Sequence, residues 1–557
     1  MRNPTQNSKP RTLNFSSPSP WLILALVGVP VFIGALDVTI ISAILPEVLV
    51  QFQLPVESSL DDLAWAVSGY LLAYTISMTF MGRVSDLIGR RRAYLICLAI
   101  FIAGSVWVAT ANALPAQMIE GLLRRMGQRP DPAQVALASL VIGRVIQAFG
   151  GGALVPISMA LVGDLFPPHR RAQPLGLIGA IDTAGWVVGH LYGGVMVQVV
   201  DWRTLFWLNV PVGLAAFVIT WVALRRVGQP RTPSRFDFAG AALLGLTLTA
   251  ISIGLGANTE VTADVTTFAQ LSAMPPYAGP LLLCGAAAFV LFVLVERRRK
   301  HPLIDLNLFR RQNFASGNLI SLVVGFALMI GLVGPPILIN IRAPDMAHLT
   351  EAALPVGIVM SALTIPMALA AIPGGWLSDR FGHRAPTMFG LLLAAVGFVL
   401  AGLTWFETVT YTEMALHMIL VGTGLGLTFS PTSAAVLNAA PDDQRGIASA
   451  IDDMLRLMGM TLASSALTTI ALRRVSTLAV SSIGQEVAMT QEAVNMYVTI
   501  TAQVIRELAL FGALLCLLAL IPAWLLRGGR AKDFAAEHPQ PEKTIIGDVS
   551  VREPGVK

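Results

Sequence analysis

The sequence predicts an all-α polytopic membrane protein: two six-helix bundles with two further helices inserted between them, fourteen spans in all. Three observations carry that prediction. The 557 residues are 55% hydrophobic and only 13% charged. A soluble domain carries about a quarter charged residues, and a soluble chain this apolar would expose large apolar patches. Apolar runs of about 20 residues, enough to cross a bilayer, recur along the chain. A short charged turn also occurs twice, as Gly82-Arg-Val-Ser-Asp86-Leu-Ile-Gly89-Arg90-Arg91 and as Gly375-Trp-Leu-Ser-Asp379-Arg380-Phe-Gly382-His-Arg384. Each copy sits in a basic gap between two apolar runs, the pattern of an internally repeated membrane protein.

The spans fall near 21–45, 63–82, 93–110, 135–164, 176–199, 205–224, 238–256, 279–295, 314–340, 352–376, 386–405, 412–439, 447–472 and 504–526. Residues 1–20 are polar, and the run that follows is about 25 residues, too long for the apolar core of a signal peptide; it reads as the first span. Arg and Lys concentrate in alternate gaps, among them Arg83/Arg90/Arg91/Arg92, Arg225/Arg226/Arg231/Arg235, Arg297/Arg298/Arg299/Lys300 and Arg310/Arg311. The positive-inside rule then predicts a multi-pass protein of the cell membrane with both termini cytoplasmic. The net charge of +5 therefore reports orientation, not a nucleic-acid partner. Three gaps on the opposite side are long: 111–134, with a short helix expected from Ala116 to Met126, then 257–278 and 473–503. Gaps above about 15 residues are functional or flexible. The polar tail after Arg527 is expected to be disordered. Cys97, Cys284 and Cys516 lie far apart inside apolar runs and read as packing residues.

The repeat fixes the domain plan. The charged turns follow the second and tenth spans, whereas a plain six-plus-six chain would place the second copy after the eighth. Spans seven and eight are therefore an insertion. The expected division is a tail over 1–20, a bundle over 21–226, a linker with two inserted helices over 227–300, a second bundle over 301–526 and a tail over 527–557. The inserted pair holds no ionisable residue within its apolar stretches and reads as lipid-facing.

Two further runs accompany the charged turn: Leu36-Asp37-Val-Thr39-Ile-Ile-x-x-Ile-Leu45-Pro46 on the first span, and Trp202-Arg203-x-x-Phe206-Trp207-x-Asn209-x-Pro211-x-Gly213 opening the sixth. On these motifs the chain resembles the major facilitator superfamily, in particular its 14-helix drug:proton antiporter branch. The resemblance implies proton-coupled export of hydrophobic or cationic small molecules by alternating access. The first-span and sixth-span runs are also similar to a mycobacterial branch that moves triacylglycerol-type lipids, so a lipid exporter of the same fold is the alternative. A non-transporting membrane sensor is a third reading. The charged turns would form a cytoplasmic gate from Gly82, Asp86, Gly89, Arg90 and Arg91, and from Gly375, Asp379, Arg380 and Gly382. Gly82 admits a close helix approach, and Asp86 can face the positive N-terminus of a helix in the other half.

Charges within spans are costly and mark partners or cavities. Asp37 lies deep in the first span and suits proton or substrate coupling, or a structural polar lock. Arg144 in the fourth span, with Gln147 three residues on and on the same helical face, suits tuning of that acid or a static ion pair. Asp182 and His190 lie on a similar face of the fifth span, where the antiporter motif usually carries Gly-Pro. His190 stands at the proline position and reads as a packing histidine or, titrating near neutral pH, as a proton or substrate pathway group together with Asp182. Asp452, Asp453 and Arg456 in the thirteenth span are spaced for ion pairing and form a second candidate coupling cluster. Gly422-Thr-Gly424-Leu-Gly426 lies inside an apolar span and reads as helix packing, not nucleotide binding. No cofactor or metal is expected, no enzymatic set stands out, and the expected partners are the cargo, protons and membrane lipids around a monomer.

Overall fold

The computed structural model describes residues 19–52, 56–196, 199–226, 237–256, 277–299, 302–342, 346–441, 444–483 and 491–528, and their regular structure is helical throughout. In chain order the helices are α1 Pro20–Gln51, α2 Val56–Ile88, α3 Arg90–Ala109, α4 Leu114–Arg125, α5 Pro132–Gly152, α6 Leu154–Leu165, α7 Ala172–Met196, α8 Trp202–Ala223, α9 Phe238–Gly256, α10 Ala278–Arg298, α11 Gln312–Asn340, α12 Met346–Phe381, α13 Arg384–Thr404, α14 Tyr411–Ala439, α15 Arg445–Ile483, α16 Gln491–Leu518 and α17 Leu520–Leu525. Every span read from the sequence is occupied by a helix. The fourth is split into α5 and α6 at Ala153, after Gly150-Gly151-Gly152, and the last into α16 and α17. Among the described residues, ten helical stretches are long and apolar enough to cross a membrane by length and composition alone.

The short helix expected outside the spans is present as α4. The stretch 473–503, expected as a loop, differs. There α15 continues to Ile483 and α16 begins at Gln491. At 39 residues and about 1.5 Å per residue, α15 is far longer than a hydrocarbon core of about 30 Å, so it projects beyond the bilayer. Most of 257–278, and the tails before residue 19 and after residue 528, lie outside the described residues.

The packing repeats from one half to the other. In the first, α1 packs on α7, α2 and α3 pack on α5, and α3 packs on α8; in the second, α11 packs on α15, α12 and α13 pack on α14, and α13 packs on α16. Two seams join the halves, α7 against α12 and α2 against α15. The inserted helices pack on each other. Their lipid-facing expectation fits α10, where Leu283, Phe289, Val290 and Leu291 are exposed. On α9 it fits one face, where Phe238 and Leu246 are exposed, while Leu244 and Leu248 are buried on the face that leans on α2 and α15 over one seam. A small crevice there is lined by Ile76, Thr79, Phe80, Leu244, Leu248 and Leu303 among others.

The glycine run of α14 is a packing device. Gly422 and Gly426 lie against the backbone carbonyls of Leu363 and Met367 on α12, while Gly424 backs onto Gly390 and Ala394 on α13. A side chain at any of the three would collide with backbone, which cannot rotate away. Gly426→Leu should therefore destabilise the second half by about 1–3 kcal/mol, read as a lower unfolding temperature in detergent; an unchanged temperature would refute the close packing.

Candidate functional site

An acid in the middle of an apolar helix must be neutralised locally, because desolvating a lone carboxylate costs several kcal/mol. Asp37 and Arg144 are both fully buried, and Nη1 of Arg144 donates to Oδ2 of Asp37 at 2.6 Å. Nη2 of Arg144 also donates to the backbone carbonyl of Asp37 at 3.1 Å. The second carboxylate oxygen accepts from Nε2 of Gln147 at 3.0 Å and from Nδ2 of Asn209 at 2.9 Å. Gln147 in turn accepts from Arg144 at 2.7 Å and donates to Oγ of Ser105 at 2.9 Å. The guanidinium lies 3.9 Å from the ring centroid of Tyr70. Four side chains, from α2, α3, α5 and α8, thus surround the ion pair of α1 and α5, all within the first half.

Of these, Asp37, Arg144 and Gln147 were legible from sequence. Asn209 lies in the sixth-span run but had no role there. Ser105 and Tyr70 carry no signal of their own, because a lone hydroxyl in an apolar span reads as packing.

A second cluster sits on α15. Asp452 and Asp453 are buried. Arg456 reaches Asp453 at 3.1 Å and Asp452 at 3.4 Å and lies 3.8 Å from the ring centroid of Phe429. Asp452 also accepts from Ser321 of α11 at 2.5 Å and Ser433 of α14 at 2.6 Å. Asp182 of α7 is close enough for its charge to interact with those of Arg456 and Asp453. The sequence grouped Asp182 with His190; the structure also sets Asp182 toward the cluster of the other half, because α7 borders the junction. The side chain of His190 lies outside the described residues. Oδ1 of Asp182 and Oδ2 of Asp453 have no hydrogen-bond partner among the described residues. Two acids of α15 therefore hold one guanidinium, with the Asp182 carboxylate of the other half within electrostatic reach of it. Tyr70 and Tyr74 of α2 stack with ring centroids 5.9 Å apart, so α2 spans the interval between the two clusters.

The charged turns form two reciprocal latches. Asp86, at the end of α2, accepts from the backbone N–H groups of Gly446 (3.0 Å) and Ile447 (3.1 Å) at the start of α15. Asp379, at the end of α12, accepts from Ala172 (3.2 Å) and Gln173 (3.3 Å) at the start of α7. Each half places a carboxylate on the positive N-terminus of a helix in the other, an arrangement worth up to about 2 kcal/mol when partly buried. Gly82 lies against Gly446 and Ala450, and Gly375 against Ala172 and Gln173. Gly89 and Gly382 both adopt a positive φ, 95° and 87°, the left-handed turn that favours glycine.

The latches differ in charge. Arg90 pairs with Asp86 and, at 3.2 Å, with Asp164, and Asp164 also meets Arg445 of the second half at 3.3 Å. In the other latch His383 stands at the place of Arg90. Burial pushes its imidazole down to about 4, so it is neutral near pH 7, and Nδ1 lies 2.8 Å from Oγ of Ser378. Asn438 stands at the place of Asp164 and accepts from Arg171 at 2.8 Å. Arg91 and Arg380 of the charged turns lie over aromatic rings, those of Trp221 and of Trp376 and Phe381.

Two outcomes follow. Arg144→Ala leaves the Asp37 carboxylate buried without its cation and should cost about 3–5 kcal/mol; the double variant Asp37→Asn/Arg144→Gln should regain much of that, measured by thermal unfolding. Asp86→Ala should loosen the α2–α15 end more than Asp379→Ala loosens the α7–α12 end, measured as widened spin-label distance distributions across each pair; equal widening would refute the charge asymmetry.

A profile described as the Major Facilitator Superfamily matches residues 28–343 and again 337–552. A triacylglyceride transporter of Mycolicibacterium hassiacum is 32% identical over 458 residues, covering 80% of this chain and 78% of that protein. One of Mycobacterium tuberculosis is 32% identical over 455 residues, covering 80% and 81%. Among solved structures, the human organic anion transporter MFSD10 superposes with a TM-score of 0.56 at 16% identity, covering 92% of this chain and all of its own. A double-tryptophan variant of XylE superposes with a TM-score of 0.57 at 16% identity, covering 91% and 99%.

Proposed function

The chain belongs to the Major Facilitator Superfamily, and on that premise we propose that it is a proton-coupled exporter of hydrophobic molecules working by alternating access. The observation that carries the reading is the enclosed Asp37–Arg144 pair. An ion pair with every carboxylate contact made inside one half is a poor site for a bulky cargo but a suitable site for one proton. Protonating Asp37 removes the charge that Arg144 compensates, and the guanidinium keeps Gln147 and the Asp37 carbonyl as acceptors. One proton falling through about 100 mV supplies about 2.3 kcal/mol, enough to bias export more than tenfold.

In this reading the bundles over 21–226 and 301–526 rock about the junction, with 227–300 as the linker. Both termini are cytoplasmic, and the two latches close the cytoplasmic side of a cell-membrane protein. The cargo is an apolar lipid of the triacylglycerol type, supported by relatives named triacylglyceride transporters over four-fifths of the chain. Export of cationic small molecules is the second reading. The surplus of acid at Asp182, Asp452 and Asp453 over Arg456 favours it.

Reconstituted protein should move protons in response to cargo. Fluorescent triacylglycerol analogues and cationic dyes, each with and without a protonophore, separate the two readings. Asp37→Asn should lower protonophore-sensitive transport more than tenfold while cargo binding persists. Transport by Asp37→Asn that remains normally coupled to protons would overturn the assignment, and no cargo-dependent proton movement across both panels would favour a sensor.

A further inference from the structure

The helix α4, Leu114–Arg125, lies outside the spans, in the connection between α3 and α5. Its inner side, through Pro115 and Ala116, is buried, and the helix packs on α5. A second apolar strip does not touch the protein core. Leu114, Met118, Leu122 and Met126 recur every fourth residue and are each between 60% and 68% exposed. Three large apolar side chains in one row on a helix of three turns, continued by Met126 at its C-terminal cap, call for an apolar surface to rest on.

The charge of this segment singles out which surface. Arg124, Arg125 and Arg129 are exposed. Glu120 pairs with Arg124, and the carboxylate of Asp131 is engaged in capping α5 through the N–H of Ala133 at 3.0 Å. Arg125 and Arg129 have no ion-pair partner among the described residues. Gly127, with φ of 81°, ends the helix: its N–H donates to the Arg124 carbonyl at 3.0 Å and the Gln128 N–H to the Leu123 carbonyl at 3.1 Å, a helix-stop pattern. The chain therefore cannot run straight from α4 into α5. With α3 ending at Ala109 and α5 beginning at Pro132, α4 is tethered at both ends to spans and is held at the face of the bilayer.

We propose that α4 is an interfacial anchor, its Leu114/Met118/Leu122/Met126 strip sunk among acyl chains and its arginines on anionic phospholipid headgroups of the leaflet at that face. A second copy of the chain is a poorer occupant, because a symmetric contact through this strip would bring two sets of unpaired arginines together. The proposal is independent of the cargo and of proton coupling.

The full-length protein in nanodiscs tests it. A nitroxide is attached at Met118→Cys, and separately at Gln117→Cys on the polar side, both in a Cys284→Ser background because Cys284 is exposed. Position 118 should collide with oxygen severalfold more than with a water-soluble nickel chelate, and position 117 should show the reverse. Immersion at 118 should deepen when phosphatidylglycerol is added to phosphatidylcholine, and Arg125→Gln/Arg129→Gln should abolish that deepening. Equal chelate access at both positions would overturn the anchor, an unchanged depth with phosphatidylglycerol would overturn its anionic preference, and spin–spin broadening at 118 would put a second copy on the strip instead.

Discussion

A charge removed from water has to be answered by another charge or by a proton, and this fold is organised around two different answers. At Asp37 the answer is complete: a guanidinium at 2.6 Å, two amide donors on the other oxygen, and an aromatic ring over the cation. Desolvation makes such a pair marginal as a source of stability, but it fixes geometry strongly. For the contacts to be made, α1, α3, α5 and α8 must present Asp37, Ser105, Arg144 with Gln147, and Asn209 to one point. The register of the first bundle is thereby specified by polar groups in a medium where apolar packing alone discriminates weakly between rotations of a helix.

The halves are joined by the same economy of charge. Each charged turn ends a helix of one half with an acid and sets it on the N–H groups that open a helix of the other. Those N–H groups have no partner within their own helix, so acid and helix end satisfy each other without a third group. The reciprocal exchange follows from the internal repeat: two copies of one turn related by a pseudo-twofold axis meet two copies of one helix start. Divergence since the repeat arose has left one latch charged, with Arg90, Asp164 and Arg445, and the other built on a neutral His383 and Asn438.

The segments of the fold were legible because membrane spans announce themselves by length and apolarity, and the insertion by a displaced copy of one motif. The local part of the site was legible for a related reason. Arg144 and Gln147 are three residues apart on one helix, and Asp452, Asp453 and Arg456 lie within one turn, so spacing alone brings them together. What spacing does not encode is which helix faces which. Asn209 meets Asp37, and Asp164 meets Arg445, from opposite ends of long sequence intervals. Asp182 reads with His190 because they share a helix, and nothing in its spacing points to Arg456 and Asp453 on α15, with which its charge interacts. The continuation of α15 past the bilayer was missed because its polar composition there reads as loop, and only its backbone reveals the helix.

The two clusters differ in one respect that bears on how a transporter of this plan would couple its steps. Asp37, Arg144, Gln147, Asn209, Ser105 and Tyr70 all belong to the first half. If the halves move as bodies, every distance among them is preserved, and the pair responds to motion only through its proton. Asp182 and the acids of α15 belong to different halves. Their mutual distance, and with it the electrostatic interaction of Asp182 with Arg456 and Asp453, must change whenever the junction opens. In a coupled cycle the first site would alter in charge while its geometry holds, and the second in geometry around a fixed complement of charge. The stacked rings of Tyr70 and Tyr74 lie on α2 between them, so the helix that carries the charged latch at its end also connects the two clusters.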